Sequence, residues 1–194
     1  MLATLGIDFR SVVPEVEELR GGASADVLVL ENARRKALAG FAEAPGGGVA
    51  LGVDTEVVLD DRTLGKAKTE SAARARLEAL SGRSHKMLSG VVLLGPAEEA
   101  GHGSSPRAAA PAERRGLARS RVEFKQLEGA TIDRYLASGE WRDRAGAYAI
   151  QGLGSTLVAS LHGDFANVVG LPLELLFELA PELFPTLEGN AGKP

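Results

Sequence analysis

The chain has 194 residues, 44% of them apolar, a formal net charge of −4 and no cysteine. That length suits one domain with its own core, and the missing thiols exclude disulfides, zinc-thiolate sites and cysteine nucleophiles. No run reaches the roughly 20 apolar residues a bilayer span needs, the start MLATLGIDFR is no secretion signal, and no basic stripe favours nucleic acid. The expectation is a cytoplasmic protein acting on a small molecule, with neither membrane nor nucleic acid as partner.

Residues 26–44 predict a helix, with Asp26 as N-cap and Ala33, Ala37, Phe41 and Ala44 near one face. Pro45 and the glycines after it end it. Residues 49–53 read as a buried strand, 56–59 as its continuation or partner, and Asp60-Asp61-Arg62 as a turn. Thr69 caps a second helix with an apolar stripe of Ala73, Leu77 and Leu80, stopped at Ser81-Gly82. Strands are expected over 86–94 and 121–127, a short helix over 131–137, a strand over 155–162, and a last helix from Leu171-Pro172. Pro172 is expected in its first turn, with Leu173, Leu176, Phe177 and Ala180 on the apolar face. Residues 95–119, rich in Gly, Ala, Pro, Ser and Arg, read as a flexible loop joining two hairpin strands. Strands interleaved with helices give an α/β class, and the hairpin makes the sheet mixed. Residues 1–188 form a single domain in this reading, and 189–194 a tail.

Asp54 closes the apolar run Val49–Val53. Strand ends at the rim of an α/β sheet are where such folds bind ligands. A carboxylate there can hold a divalent cation, orient a water, or simply cap a turn. Lys66, behind Gly65, can reach a phosphate as a point charge or stay a solvated turn lysine. Lys36 lies in the run Arg34-Arg35-Lys36, whose three cations do not share one helix face. Glu15, Glu17 and Glu18 offer oxygen ligands or form a hydrated loop. Gln151, beside Gly152, can pair with a pyrimidine edge or bond to backbone in a core. His85, His102 and His162 lack metal-ligand spacing, which argues against zinc.

The order of the motifs is more specific than any one of them. VDTEVVLDDRTLGK, LEALSGRSHKMLSGVVL, VEFKQLEGATIDRYLASGEWRDRAGAYAIQGLG and NVVGLPLELL follow one another as in the Maf family, which the chain resembles over residues 5–179 outside the 95–119 insert. AGAYAIQG and GDFANVVGLPL carry the resemblance most specifically. It implies a curved mixed sheet flanked by helices, two lobes and a central cleft. It also implies hydrolysis of a nucleoside triphosphate to the monophosphate and pyrophosphate with a divalent cation, Mg2+ or Mn2+, and a homodimer.

By this resemblance Asp54 matches the family's proton acceptor, and Thr55 and Gln151 match positions linked to substrate choice. Glu18 matches the acid ending a P-x-x-D-E stretch, Lys36 the lysine of an R-x-K-A helix, and Lys66 that of a G-K-P turn in which Ala67 here replaces proline. Lys66 joins Asp54 in the expected catalytic pair. Glu18 and Asp54 are the expected metal ligands, and Thr55, Gln151 and Lys36 the substrate contacts. AGAYAIQG looks like the branch acting on dTTP and UTP, whereas a sister branch favouring methylated GTP carries a glutamate where Gln151 stands. Family members open with an S-x-S-P-R-R turn that binds phosphate, and Met1-Leu2 stand where that motif would just have ended. Its absence supports an alternative expectation, a weakly active or inactive nucleotide-binding regulator connected with cell division.

Overall fold

The computed structural model describes residues 1–13, 15–44, 48–96 and 111–184. Five strands form one sheet in the order β2-β1-β3-β4-β5, and every pairing is antiparallel. The strands are β1 (Ala50–Leu59), β2 (Arg62–Thr63), β3 (Ser84–Gly95), β4 (Ala112–Phe124) and β5 (Val158–His162). The helices are α1 (Ala25–Ala42), α2 (Glu70–Leu80), α3 (Gly129–Ser138), α4 (Phe165–Val169) and α5 (Leu173–Leu179), with a 3-10 helix over Gly152–Leu157. The α/β class and helix-flanked sheet match expectation; the mixture of strand directions does not, because each neighbouring pair among the described residues runs antiparallel.

The two expected apolar segments around Asp54 are one strand, β1. Asp60 and Asp61 take positive φ, 49° and 59°, and turn the chain into β2. Short polar side chains tolerate that left-handed conformation, as two-residue hairpins require. Thr69 caps α2 as expected, its hydroxyl accepting from Ala72 N at 3.2 Å.

The largest departure is β4. Residues 112–119 were expected in a flexible loop, yet they pair with β3 from Ala112↔Gly95 to Arg119↔Leu88. Strand formation depends on context more than on intrinsic preference. The exposed side chains of this half-strand also find charged partners: Glu113 meets Arg34, Arg119 meets Asp26 and Arg114 meets Glu182. Residues 97–110 of the expected insert and the expected tail 189–194 lie outside the described residues.

At the carboxyl end Pro172 occupies the N-cap of α5 instead of its first turn, and Phe177 is exposed, pairing edge-on with Phe184. The expected strand over 155–162 begins only at Val158, because Gly152–Leu157 coil into the 3-10 helix.

Two groups of packed side chains divide the sheet. Toward one end Val57, Met87, Val122 and Phe124 pack with Leu77 and Leu80 of α2, Ile132 and Tyr135 of α3, and Trp141 and Tyr148. Toward the other end α1 covers one face through Ala33 and Ala37, while Leu176 and Ala180 cover Val91 and Leu93. Gly52 and Gly90 let α1 come down on the sheet: a Cβ on Gly52 would lie 2.1 Å from the Ala33 carbonyl oxygen, and one on Gly90 2.4 Å from that of Val29. Gly90 is the cross-strand neighbour of Asp54. The helix therefore settles directly over Asp54.

Candidate functional site

A cleft of about 850 Å3 opens where the two packed regions meet. Its walls include Glu18, Lys36, Asp54, Thr55, Lys66 and Gln151, the six residues singled out in the sequence. Side chains alternate along a strand, so Asp54 and Glu56 share the face of β1 that meets α1, and Thr55 lies on the other.

At one end Lys36 is the hub. Its Nζ donates to Asp54 Oδ1 at 2.6 Å and lies 2.8 Å from Glu18 Oε1. Burial alone would lower its pKa, but the hydrogen bonds to Asp54 and Glu18 outweigh that and hold it above the ordinary lysine value. The same contact lowers the Glu18 carboxyl below its usual range. Asn32, one helical turn before Lys36, is buried and makes three bonds. Its Nδ2 donates to Asp54 Oδ2 at 3.3 Å and to the Leu19 carbonyl at 3.1 Å, while its Oδ1 accepts from Leu19 N at 2.8 Å. This amide clamps the backbone beside Glu18 and so brings an otherwise irregular segment against Asp54.

Two residues of this end were missed from sequence. Asn32 gave only a weak signal, a polar side chain at i, i+4 from Lys36. Glu56 gave a clearer one, since i+2 on a strand repeats the face of Asp54. Its Oε2 is buried without a hydrogen-bond partner among the described residues. Burial, reinforced by the Asp54 and Glu18 carboxylates, pushes the Glu56 carboxyl up to about 7.

Lys66 is exposed in the cleft and makes no ion pair among the described residues; its backbone bridges to Ala145. Lys68, Arg142 and Arg144 add further cations to the wall. Positive charge thus gathers in the cleft of a chain whose net charge is negative, an arrangement that attracts a polyanion.

Away from the Lys36 cluster, Trp141, Tyr148 and Ile150 of the larger packed region line the cleft with Gln151, as do Val168, Val169 and Gly170. Gln151 is exposed there instead of bonded in a core. Tyr148 rests on His85, whose Nε2 lies 2.8 Å from the phenol oxygen, and both stack edge-on with Phe124. Burial lowers His85 to about 4, so the imidazole is neutral at pH 7. Thr55 lines the cleft on the other face of β1, where its hydroxyl lies 2.8 Å from that of Ser89.

The donors near Lys36 are hard carboxylate oxygens. Among the described residues no three Asp, Glu or His side chains are grouped as a metal cage. The Glu18 and Asp54 oxygens suit a hard divalent cation whose remaining positions substrate phosphates would fill. None of the described helices is long and apolar enough to cross a membrane.

Known proteins are similar to this chain in sequence. The profile of the family described as "Maf-like protein" matches residues 1–183. A dTTP/UTP pyrophosphatase of Alcanivorax borkumensis is 41% identical over 167 residues, 86% of this chain and 79% of that protein. One of Pyrococcus abyssi is 36% identical over 172 residues, 89% of this chain and 84% of the relative. One of Symbiobacterium thermophilum is 38% identical over 195 residues, 99% of this chain and 92% of the relative. With the match spanning both packed regions and the cleft between them, the chain belongs to the Maf-like protein family.

Proposed function

We propose that the chain is a nucleoside triphosphate pyrophosphatase acting on dTTP and UTP, releasing the monophosphate and pyrophosphate. The observation that carries this reading is one cleft with an Asp54–Lys36–Glu18 cluster at one end and an exposed carboxamide, Gln151, at the other. The names of the relatives support the same substrates.

In this reading the triphosphate lies toward Lys36 and Lys66, whose ammonium groups offset its charge. Lys36 and Asn32 hold the two oxygens of Asp54 in a set orientation. Asp54 takes a proton from a water as that water's oxygen bonds to the α-phosphorus. The bond from the α-phosphorus to the bridging oxygen breaks, and pyrophosphate leaves with the electron pair. Positioning and charge neutralisation supply most of the acceleration. Glu18 and Asp54 are the residues that would hold a divalent cation; when bound, it would neutralise phosphate oxygens. One carboxylate does not serve at once as metal ligand and free base, so Glu18 is the better ligand and Asp54 the better base. The Gln151 amide donates to a uracil-type carbonyl and accepts from the ring N–H beside it.

Phosphorus NMR of the products tests the reaction. Incubation with UTP and Mg2+ or Mn2+ should give UMP and pyrophosphate in equal amounts. UDP with inorganic phosphate would mean attack at the γ-phosphorus and overturn the reading, and unreacted UTP would favour a binding protein instead.

A further inference from the structure

Gln151 stands at the N-cap of the 3-10 helix Gly152–Leu157, yet its side chain makes no capping hydrogen bond. A short polar side chain at that position commonly accepts from the unpaired N–H groups of the first turn, and the amide oxygen of a glutamine is the local acceptor available here. Here those groups donate elsewhere: Leu153 N to Glu140 Oε1 at 2.9 Å, and Gly154 N to Glu140 Oε2 at 3.0 Å. Both oxygens of one carboxylate thus close the start of this helix from outside it.

Glu140 is itself well supported. It follows α3, where Gly139 ends the helix in a left-handed conformation and Glu140 N donates to Ser138 Oγ. The next residue, Trp141, is buried and bonds through its indole N–H to the Leu136 carbonyl. The other flank of Gln151 is tied to α3 as well, because Ala149 N donates to the Tyr135 hydroxyl at 3.0 Å. The turn between is too tight for a side chain at Gly154, where a Cβ would lie 1.8 Å from the Ala149 carbonyl oxygen. The backbone on both sides of Gln151 is fixed, and its amide is left exposed in the cleft.

We propose that Glu140 is a positioning residue for substrate binding: by capping the 3-10 helix in place of Gln151, it keeps the Gln151 carboxamide free to meet the nucleobase. This role rests on the proposed contact between Gln151 and a pyrimidine. Without Glu140, the N–H groups of Leu153 and Gly154 lose their acceptor. The Gln151 side chain, in the N-cap position, is then the local group that replaces it. It folds back on its own helix and withdraws from the base, while the phosphate end is untouched.

Steady-state pyrophosphate release from UTP by the full chain separates this role from a structural one. Glu140→Ala should raise KM about tenfold, more than it lowers kcat. Glu140→Gln keeps one acceptor oxygen and should fall between Glu140→Ala and the parent; it also carries the test if Glu140→Ala does not fold. Inhibition by tripolyphosphate, which has no base, should be unchanged. Gln151→Ala should raise KM by a similar factor, and the Glu140→Ala, Gln151→Ala double variant should show no further rise. Independent, multiplying effects in the double variant would overturn the role. So would a normal KM in folded Glu140 variants when Gln151→Ala raises it. An unchanged KM in Gln151→Ala would instead remove the base contact itself, and the role with it.

Discussion

The two ends of the cleft are held in opposite ways. At the Asp54 end the functional side chains bond to one another: Lys36 joins Asp54 and Glu18, and Asn32 ties Asp54 to the backbone at Leu19. At the Gln151 end they do not. There the backbone is fixed by Tyr135 of α3 and by Glu140 just after that helix, and the amide that faces the cleft is left unengaged. A network of bonded charges has little tolerance for loss of a member, because the partner is left half-buried and uncompensated. An amide on a fixed backbone loses only its own contact when removed. The first end should therefore control turnover, and the second affinity.

The largest effect expected from breaking this contrast is at Lys36. Lys36→Ala leaves Asp54 and Glu18 facing each other without their shared cation, and kcat/KM should fall by about 10^3-fold. Asn32→Ala comes next. It frees the Leu19 backbone and one oxygen of Asp54, so kcat should drop by roughly tenfold or more while unfolding in urea shows a loss of about 1–3 kcal/mol. An Asn32→Ala enzyme with full stability and reduced KM alone would contradict the clamp. Gln151→Ala is the corresponding change at the opposite end and should act on KM for UTP, by about tenfold, with a smaller change in kcat.

The smallest effect on catalysis concerns what lies beneath the base end. His85 has a folded pKa of about 4, below its unfolded value near 6.5. The stability it allows is fully present above pH 6.5 and is lost as the pH falls toward 4, by about 3 kcal/mol from this group. Urea titrations at pH 7.5 and 4.5 check the slope, and His85→Gln, which keeps a hydrogen-bonding group near Tyr148, should flatten it.

Much of the Asp54 end was legible in the sequence, though not how it is assembled. Asp54 stood out as a carboxylate in an apolar strand, although β1 runs on through it to Leu59 instead of ending there, and Lys66 stood out because a glycine turn precedes it. Asn32 could not, since its importance depends on α1 resting on Gly52 and Gly90, a contact between distant segments. Glu56 could be placed on the face of Asp54 by alternation, but its burial and unpartnered oxygen depend on the cleft closing around it. Thr55 lines the cleft as the sequence suggested, but its hydroxyl contact with Ser89 on the neighbouring strand could not be read from its place beside Asp54. The first half of β4 was hidden by composition. Ala112–Arg119 is polar and arginine-rich, and only the register with β3 and the ion pairs with Asp26, Arg34 and Glu182 account for its extended form.

The most direct test is pyrophosphate release from dTTP and UTP by the parent chain and by Asp54→Asn, with Mg2+ or Mn2+ present. The substitution keeps the size of the side chain and removes its capacity as a base. The account predicts turnover in the parent and a fall of about 10^3-fold or more in kcat for Asp54→Asn, with circular dichroism showing both folded. Equal turnover in the two folded proteins would contradict the role of Asp54, and the absence of turnover in a folded parent would contradict the hydrolase itself.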